Sequence, residues 1–213
     1  MMDIQVVELV CSRLCHDLIS PVGAIHNGLE LIEEMEDGPS GGFLGEAVKL
    51  IGHSSAQADR RLRLFRLAYG LAGREMRDFE GVRTTAAEWL EGARTRLDWA
   101  PGTPPAAFAA RPGLGKTLLN TVMLAEEALT HGGTVSIGSE GTAESGCIRL
   151  TAAGRPGVLN PDAEAALAGR TAADALTPRT VHAFVTGRFA DAYGLRLSVV
   201  PCGRDLLEIR LAW

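Results

Sequence analysis

His16 and Asp17 stand side by side in the stretch Arg13-Leu14-Cys15-His16-Asp17-Leu18-Ile19-Ser20-Pro21-Val22. An imidazole can act as a nucleophile and a proton carrier near neutral pH, so its setting decides whether it has a task. The stretch lies in a run from about Asp3 to Met35 whose apolar residues repeat at helical spacing. Val7, Cys11, Leu14, Leu18, Val22, Ile25, Leu29 and Ile32 step by three or four and form one stripe. Val7 and Ile25 are each nine residues from His16, and nine steps of about 100° place them roughly opposite it around the helix. The face that His16 shares carries Ser12, Arg13, Ser20, Gly23 and Asn27 instead. Most solitary exposed histidines are passive surface residues. This one is followed directly by an acid, Pro21 removes a helical hydrogen bond one turn later, and Gly23 keeps the same face open.

The order His-Asp-Leu-x-Ser-Pro from His16 to Pro21 resembles the phospho-acceptor box of two-component histidine kinases. The wider run CHDLISPVGAIHNGLELI, Cys15 to Ile32, is similar to that of the ChpT-type histidine phosphotransferases. His26 is a poorer acceptor, because no acid and no proline follow it in that pattern.

At 213 residues the chain has ample material for a core, and 46% apolar with 22% charged residues is ordinary for a globular protein. A net charge of −5 counts against nucleic acid as a partner. Cys11, Cys15, Cys147 and Cys202 form no CxxC pair and have no ligand spacing for a metal. They read as buried core thiols in a reducing compartment. Asp3 and Glu8 occupy the place of a basic leader, and no apolar run reaches bilayer length, so the expected location is the cytoplasm, without membrane attachment.

A break at Asp37-Gly38-Pro39-Ser40-Gly41-Gly42 separates the first helix from a second pattern, Leu44 to Tyr69. Two such helices joined by a short turn make an antiparallel hairpin, expected to span residues 1–73. Each has an apolar face that a lone hairpin leaves wet, so two hairpins are expected to pack as a four-helix bundle in a homodimer. With the turn near residue 39 or 40, the level of His16 on the second helix is near position 63. Arg60, Arg61, Arg63 and Arg66 fall there. They read either as a solvated face suited to a helix C-terminus or as cations that dock an acidic partner and neutralise phosphoryl oxygens.

Residues 74–213 change pattern. Thr85-Ala86-Ala87-Glu88 carries a capping-box signature for a helix to about Arg96, and a loop with Pro101, Pro104 and Pro105 follows. Helices are expected over 114–129, 162–167 and 178–193. Strands are expected over 134–137, 147–152, 196–200 and 206–211. The whole is an α+β chain whose second part is an α/β sandwich with helices over one sheet face.

Nucleotide motifs fail in this part. Gly113-Leu114-Gly115-Lys116-Thr117 ends like a phosphate-binding loop, but the required earlier glycine is Ala110 and Pro112 removes an amide donor. The element order resembles the histidine-kinase (GHKL) ATP-binding domain. Asn120 stands in the helix of the family's Asn box, without a clear equivalent of the later metal-binding Asn. The adenine box reads Ala152-Ala153-Gly154-Arg155-Pro156-Gly157 and lacks its acid. The second glycine loop reads Leu176-Thr177-Pro178-Arg179-Thr180-Val181 and lacks glycine altogether.

The ChpT-type resemblance covers nearly the whole chain. It implies a cytoplasmic phosphorelay protein that carries a phosphoryl group on His16. The group would come from the receiver domain of a hybrid histidine kinase and go to response regulators that are CtrA-like. Asp17 would orient or deprotonate the imidazole, and Ser20 would lie beside the phosphoryl group. Ser12, Arg13, Gly23, Asn27 and the four arginines of the second helix would dock the receiver. No cofactor or metal is implied on this chain, since the Mg²⁺ belongs to the receiver. The alternatives are an ATP-dependent histidine kinase, which the missing glycine boxes disfavour, and a non-catalytic dimeric adaptor in which His16 is incidental.

Overall fold

The computed structural model describes residues 4–35, 41–100, 106–155 and 157–213. Most of the break at 36–40, the proline-rich 101–105 and Pro156 of the adenine-box stretch lie outside them.

Helix α1, Ile4–Met35, and helix α2, Gly41–Ala68, form the expected hairpin. They approach closely at Gly28, where an added Cβ would sit 2.6 Å from Ile51 Cγ1. Pro21 lies inside α1 and the helix continues through it. The single stripe expected on α1 divides in two. Val6, Leu9, Val10, Leu14 and Leu18 pack into or against the core. Val22 and Leu29 stay 54% and 47% exposed. On α2, Leu44, Val48 and Leu62 share a face by their spacing and are likewise exposed. None of the described helices is long and apolar enough to cross a membrane.

The cysteines correct the sequence reading. Cys11, Cys15 and Cys202 are exposed and Cys147 is half-buried; none is a core thiol. By helical spacing Cys11 and Cys15 share the flank of Val22 and Leu29, which the other described residues do not cover.

Helix α3, Phe79–Leu90, begins six residues before Thr85. Thr85 is inside it, its hydroxyl donating to the Gly81 carbonyl one turn back, so the capping-box reading is wrong there. The chain then turns at Gly92, whose φ of 77° favours glycine, into an unexpected strand β1, Thr95–Asp98. Four residues are too few to show an alternation. A short helix α4, Ala106–Ala110, was also unforeseen.

Helix α5, Leu114–Glu127, follows, then strands β2, Gly133–Gly141, and β3, Gly146–Gly154. Helices α6, Pro161–Leu167, and α7, Val181–Ala192, precede strands β4, Arg196–Pro201, and β5, Leu206–Ala212. The sheet order is β1-β2-β3-β5-β4, with β1 parallel to β2 and the other pairs antiparallel. Register places Ile148 opposite Leu211, Leu150 opposite Ile209 and Ala152 opposite Leu207. All six are buried, while Arg149 and Arg210 pair on the other face and are exposed. The helices therefore cover one face, as the alternation predicts. Every residue of α5 from Leu114 to Ala125 is buried, so this helix is the centre of the core.

Candidate functional site

Pro21 has no N–H, so the carbonyl of Asp17, four residues earlier, has no helical donor. The Arg61 guanidinium of α2 donates to that carbonyl. A proline placed five residues after His16 thus lets the second helix grip the turn that carries His16. The antiparallel register read from the sequence places Arg61 at this level, and the structure puts it there.

The His16 side chain is 88% exposed. Its Nδ1 lies 3.3 Å from Asp17 Oδ1. With the ring proton on Nδ1, donated to the carboxylate, the Nε2 lone pair faces solvent. Ser12, Ser20 and Asn27 are exposed and Gly23 is half-buried with nothing within 4 Å of an added Cβ, so the surroundings of His16 are low and open. His26 is turned to Glu30, 3.2 Å away on its own helix.

Arg60 and Arg63 are drawn elsewhere. Arg60 meets Glu91 at 3.1 Å, and Arg63 meets Asp59 at 2.5 Å and Glu88 at 4.0 Å. Both therefore bind acids within the chain, two of them in and just beyond α3. Arg66 is exposed in the last turn of α2. A cleft of about 160 Å³ beside them is lined by Arg60, Arg61, Glu88, Glu91 and Glu126 among others.

Arg13, one turn before His16, points into the protein and pairs with Glu127 at the end of α5. Glu127 also accepts from or pairs with Nδ1 of His182 on α7, 2.8 Å away, and His182 is fully buried. Burial pushes the Glu127 carboxyl up, but His182 and then Arg13 outweigh it and hold it down at about 2. Tyr69 lies edge-on to His182 at 6.0 Å between ring centroids, and burial pushes its phenol above the ordinary range. Glu127, His182 and Tyr69 are not recognisable from sequence. They stand at or next to helix ends, a position that carries no pairing signal by itself.

The residues that looked like nucleotide binders have structural partners. Lys116 Nζ donates to the carbonyls of Tyr69 and Gly70 at 2.9 and 2.8 Å and lies 4.3 Å from the Phe189 ring centre. Asn120 Nδ2 donates to the Ala68 carbonyl at 2.7 Å and to Lys116 O at 2.9 Å. Both satisfy carbonyls at the end of α2 that a helix leaves without internal donors. Among the described residues no group of three or more His, Cys, Asp or Glu side chains is arranged to hold a metal ion.

A family model described as the histidine phosphotransferase C-terminal domain matches residues 79–205. Protein phosphotransferase ChpT of Brucella abortus is 30% identical over 201 residues, covering 93% of this chain and 91% of that protein. The chain belongs to the ChpT-type histidine phosphotransferase family. A solved bacterial phosphotransferase superposes with a TM-score of 0.80 at 28% identity, over 99% of this chain and 97% of that one. The histidine kinase AdeS of Acinetobacter baumannii superposes loosely, with a TM-score of 0.43 at 16% identity over 92% of this chain and 97% of that one. The activity of this histidine phosphotransferase is accordingly phosphoryl transfer within a phosphorelay, between receiver domains and response regulators.

Proposed function

We propose that His16 is the phosphoryl acceptor of this phosphotransferase. The observation that carries the assignment is an 88% exposed imidazole whose Nδ1 faces the Asp17 carboxylate at 3.3 Å, on a turn that Arg61 holds through the carbonyl Pro21 leaves free. The Nε2 lone pair attacks the phosphorus of a receiver's aspartyl phosphate. The P–N bond forms as the acyl P–O bond breaks, and the electron pair leaves on the receiver's carboxylate. Onward transfer to a regulator aspartate reverses those roles. Asp17 orients the ring, and the small Ser20 and Gly23 leave the phosphoryl group room. Arg61 and Arg66, with Ser12 and Asn27, are the positions offered to an acidic receiver. Arg13, Arg60 and Arg63 serve less directly, since each already pairs with an acid of this chain.

The hairpin of residues 1–73 would pair with a second copy in a four-helix bundle, supported by the exposed Val22, Leu29, Leu44 and Val48. Residues 74–213 would bind no ATP, because Lys116 and Asn120 are committed to α2. The upstream partner would be a hybrid kinase's receiver, the regulators CtrA-like, and the location cytoplasmic.

The test incubates wild type and His16→Ala with labelled ATP alone, then with a labelled phosphorylated receiver domain. Label on wild type alone, and with the receiver alone, is the expected result. Label from ATP alone would make the protein a kinase, and no label in either case would favour an adaptor.

A further inference from the structure

Helix α5 touches both helices of the hairpin with polar side chains. At one end Asn120 holds the Ala68 carbonyl that ends α2, and Lys116 holds those of Tyr69 and Gly70 just beyond it. Eleven residues later, about 16 Å along the helix, Glu127 holds Arg13 of α1. The helix that the kinase resemblance places against a nucleotide is here a bracket across the acceptor hairpin.

We propose that Glu127, clamped between Arg13 and His182, is a positioning residue for phosphoryl transfer, locking the turn of α1 that carries His16 onto the C-terminal domain. Arg13 and His16 are three residues apart and so neighbours on one helix face. Fixing the Arg13 guanidinium fixes the rotation of α1 about its axis at His16. Arg61 grips the same turn from α2 through the Asp17 carbonyl. The two contacts together define where Nε2 stands against an incoming phosphoryl group, a geometry in which an error of about 1 Å costs transfer steeply.

The cluster is poorly built for stability alone. Side-chain exposures of 17% for Arg13, 28% for Glu127 and none for His182 mean that charged and polar groups have been withdrawn from water, where an apolar contact would serve packing as well. Among the described residues Arg13 Nε and His182 Nε2 are buried there without a hydrogen-bond partner. Such under-satisfied polar groups are expected where geometry at a working site, and not packing, has set the residues.

The inference rests on His16 being the acceptor, and the experiment separates the two. Full-length Glu127→Gln, Arg13→Gln, the double variant and Arg13→Lys are mixed with phosphorylated receiver in single turnover, beside His16→Ala and Leu211→Ala. Leu211 is a buried β5 residue outside the cluster, so its alanine variant controls for lost stability. The expected result is a plateau transfer rate reduced about 10- to 100-fold in Glu127→Gln, with the half-saturating receiver concentration unchanged. The double variant should be no slower than the slower single one, as for residues acting as a unit. Arg13→Lys, which keeps the charge and loses the fork, should also slow the plateau and serves if Glu127→Gln does not fold. A wild-type plateau in the Glu127 and Arg13 variants, a loss confined to half-saturation, or an equal slowing in Leu211→Ala overturns the proposal. Label on His16→Ala would instead overturn the acceptor assignment.

Discussion

Single residues here are explained by what their neighbours leave unsatisfied. Pro21 withholds a donor from the Asp17 carbonyl, and Arg61 supplies one. Glu127 illustrates the electrostatic side. Its carboxyl is held at about 2 in the folded protein, against 4.5 for an unperturbed group, by His182 and Arg13 working against burial. A carboxylate with a depressed folded pKa adds stability that is fully present above the unfolded value. That contribution is lost as pH falls from about 4.5 towards 2. Urea unfolding midpoints measured from pH 7 down to that window should therefore fall more steeply for wild type than for Glu127→Gln. Parallel acid slopes would mean that the ion pairs add nothing to folding.

At the scale of elements, α5 is the informative one. All residues of α5 from Leu114 to Ala125 are buried, because the sheet lies on one side and the hairpin on the other. Burial of this kind forces its polar side chains to find partners. Lys116 finds the Tyr69 and Gly70 carbonyls, although burial brings its ammonium down to about 8 and cancels part of the gain. Replacing it with Met leaves both carbonyls without a donor and should lower unfolding stability by about 2 kcal/mol. The midpoint shift in chemical denaturation measures this, with no change in ATP affinity because none is expected in either form. Gly113 opens the same helix with φ of 77° and its Cα packed against the Tyr193 ring, which an added Cβ would overlap at 2.2 Å. The glycine that resembled part of a phosphate loop is required by a turn and a close approach.

Among the described residues, the hairpin keeps apolar side chains uncovered. Cys15, Val22 and Leu29 on α1 and Leu44, Val48 and Leu62 on α2 form the exposed apolar side of the hairpin. Burial of such a side against its own copy is the two-fold solution. Light scattering on the full chain should give a dimer at micromolar concentration, and the pair Leu29→Glu and Val48→Glu should give a folded monomer. A wild-type monomer would sink the bundle reading.

Periodicity alone was enough for the hairpin, for most C-terminal elements and for the exposed face of His16, since these depend on spacing along one element. The order of residues 15–32 likewise pointed to the family later shown. Apolar spacing of 3.6 residues does not separate the two apolar faces of α1, and Cys11 and Cys15 fall on the uncovered flank, not in the core. Nor could a four-residue strand announce itself before its partner was known. The Arg13–Glu127–His182 cluster joins residues 114 and 55 positions apart. Contacts across such separations depend on how α1, α5 and α7 pack in three dimensions, and local spacing carries no record of that. The exposure of His16 follows from spacing in its own helix; the contacts that hold its turn were decided by the fold.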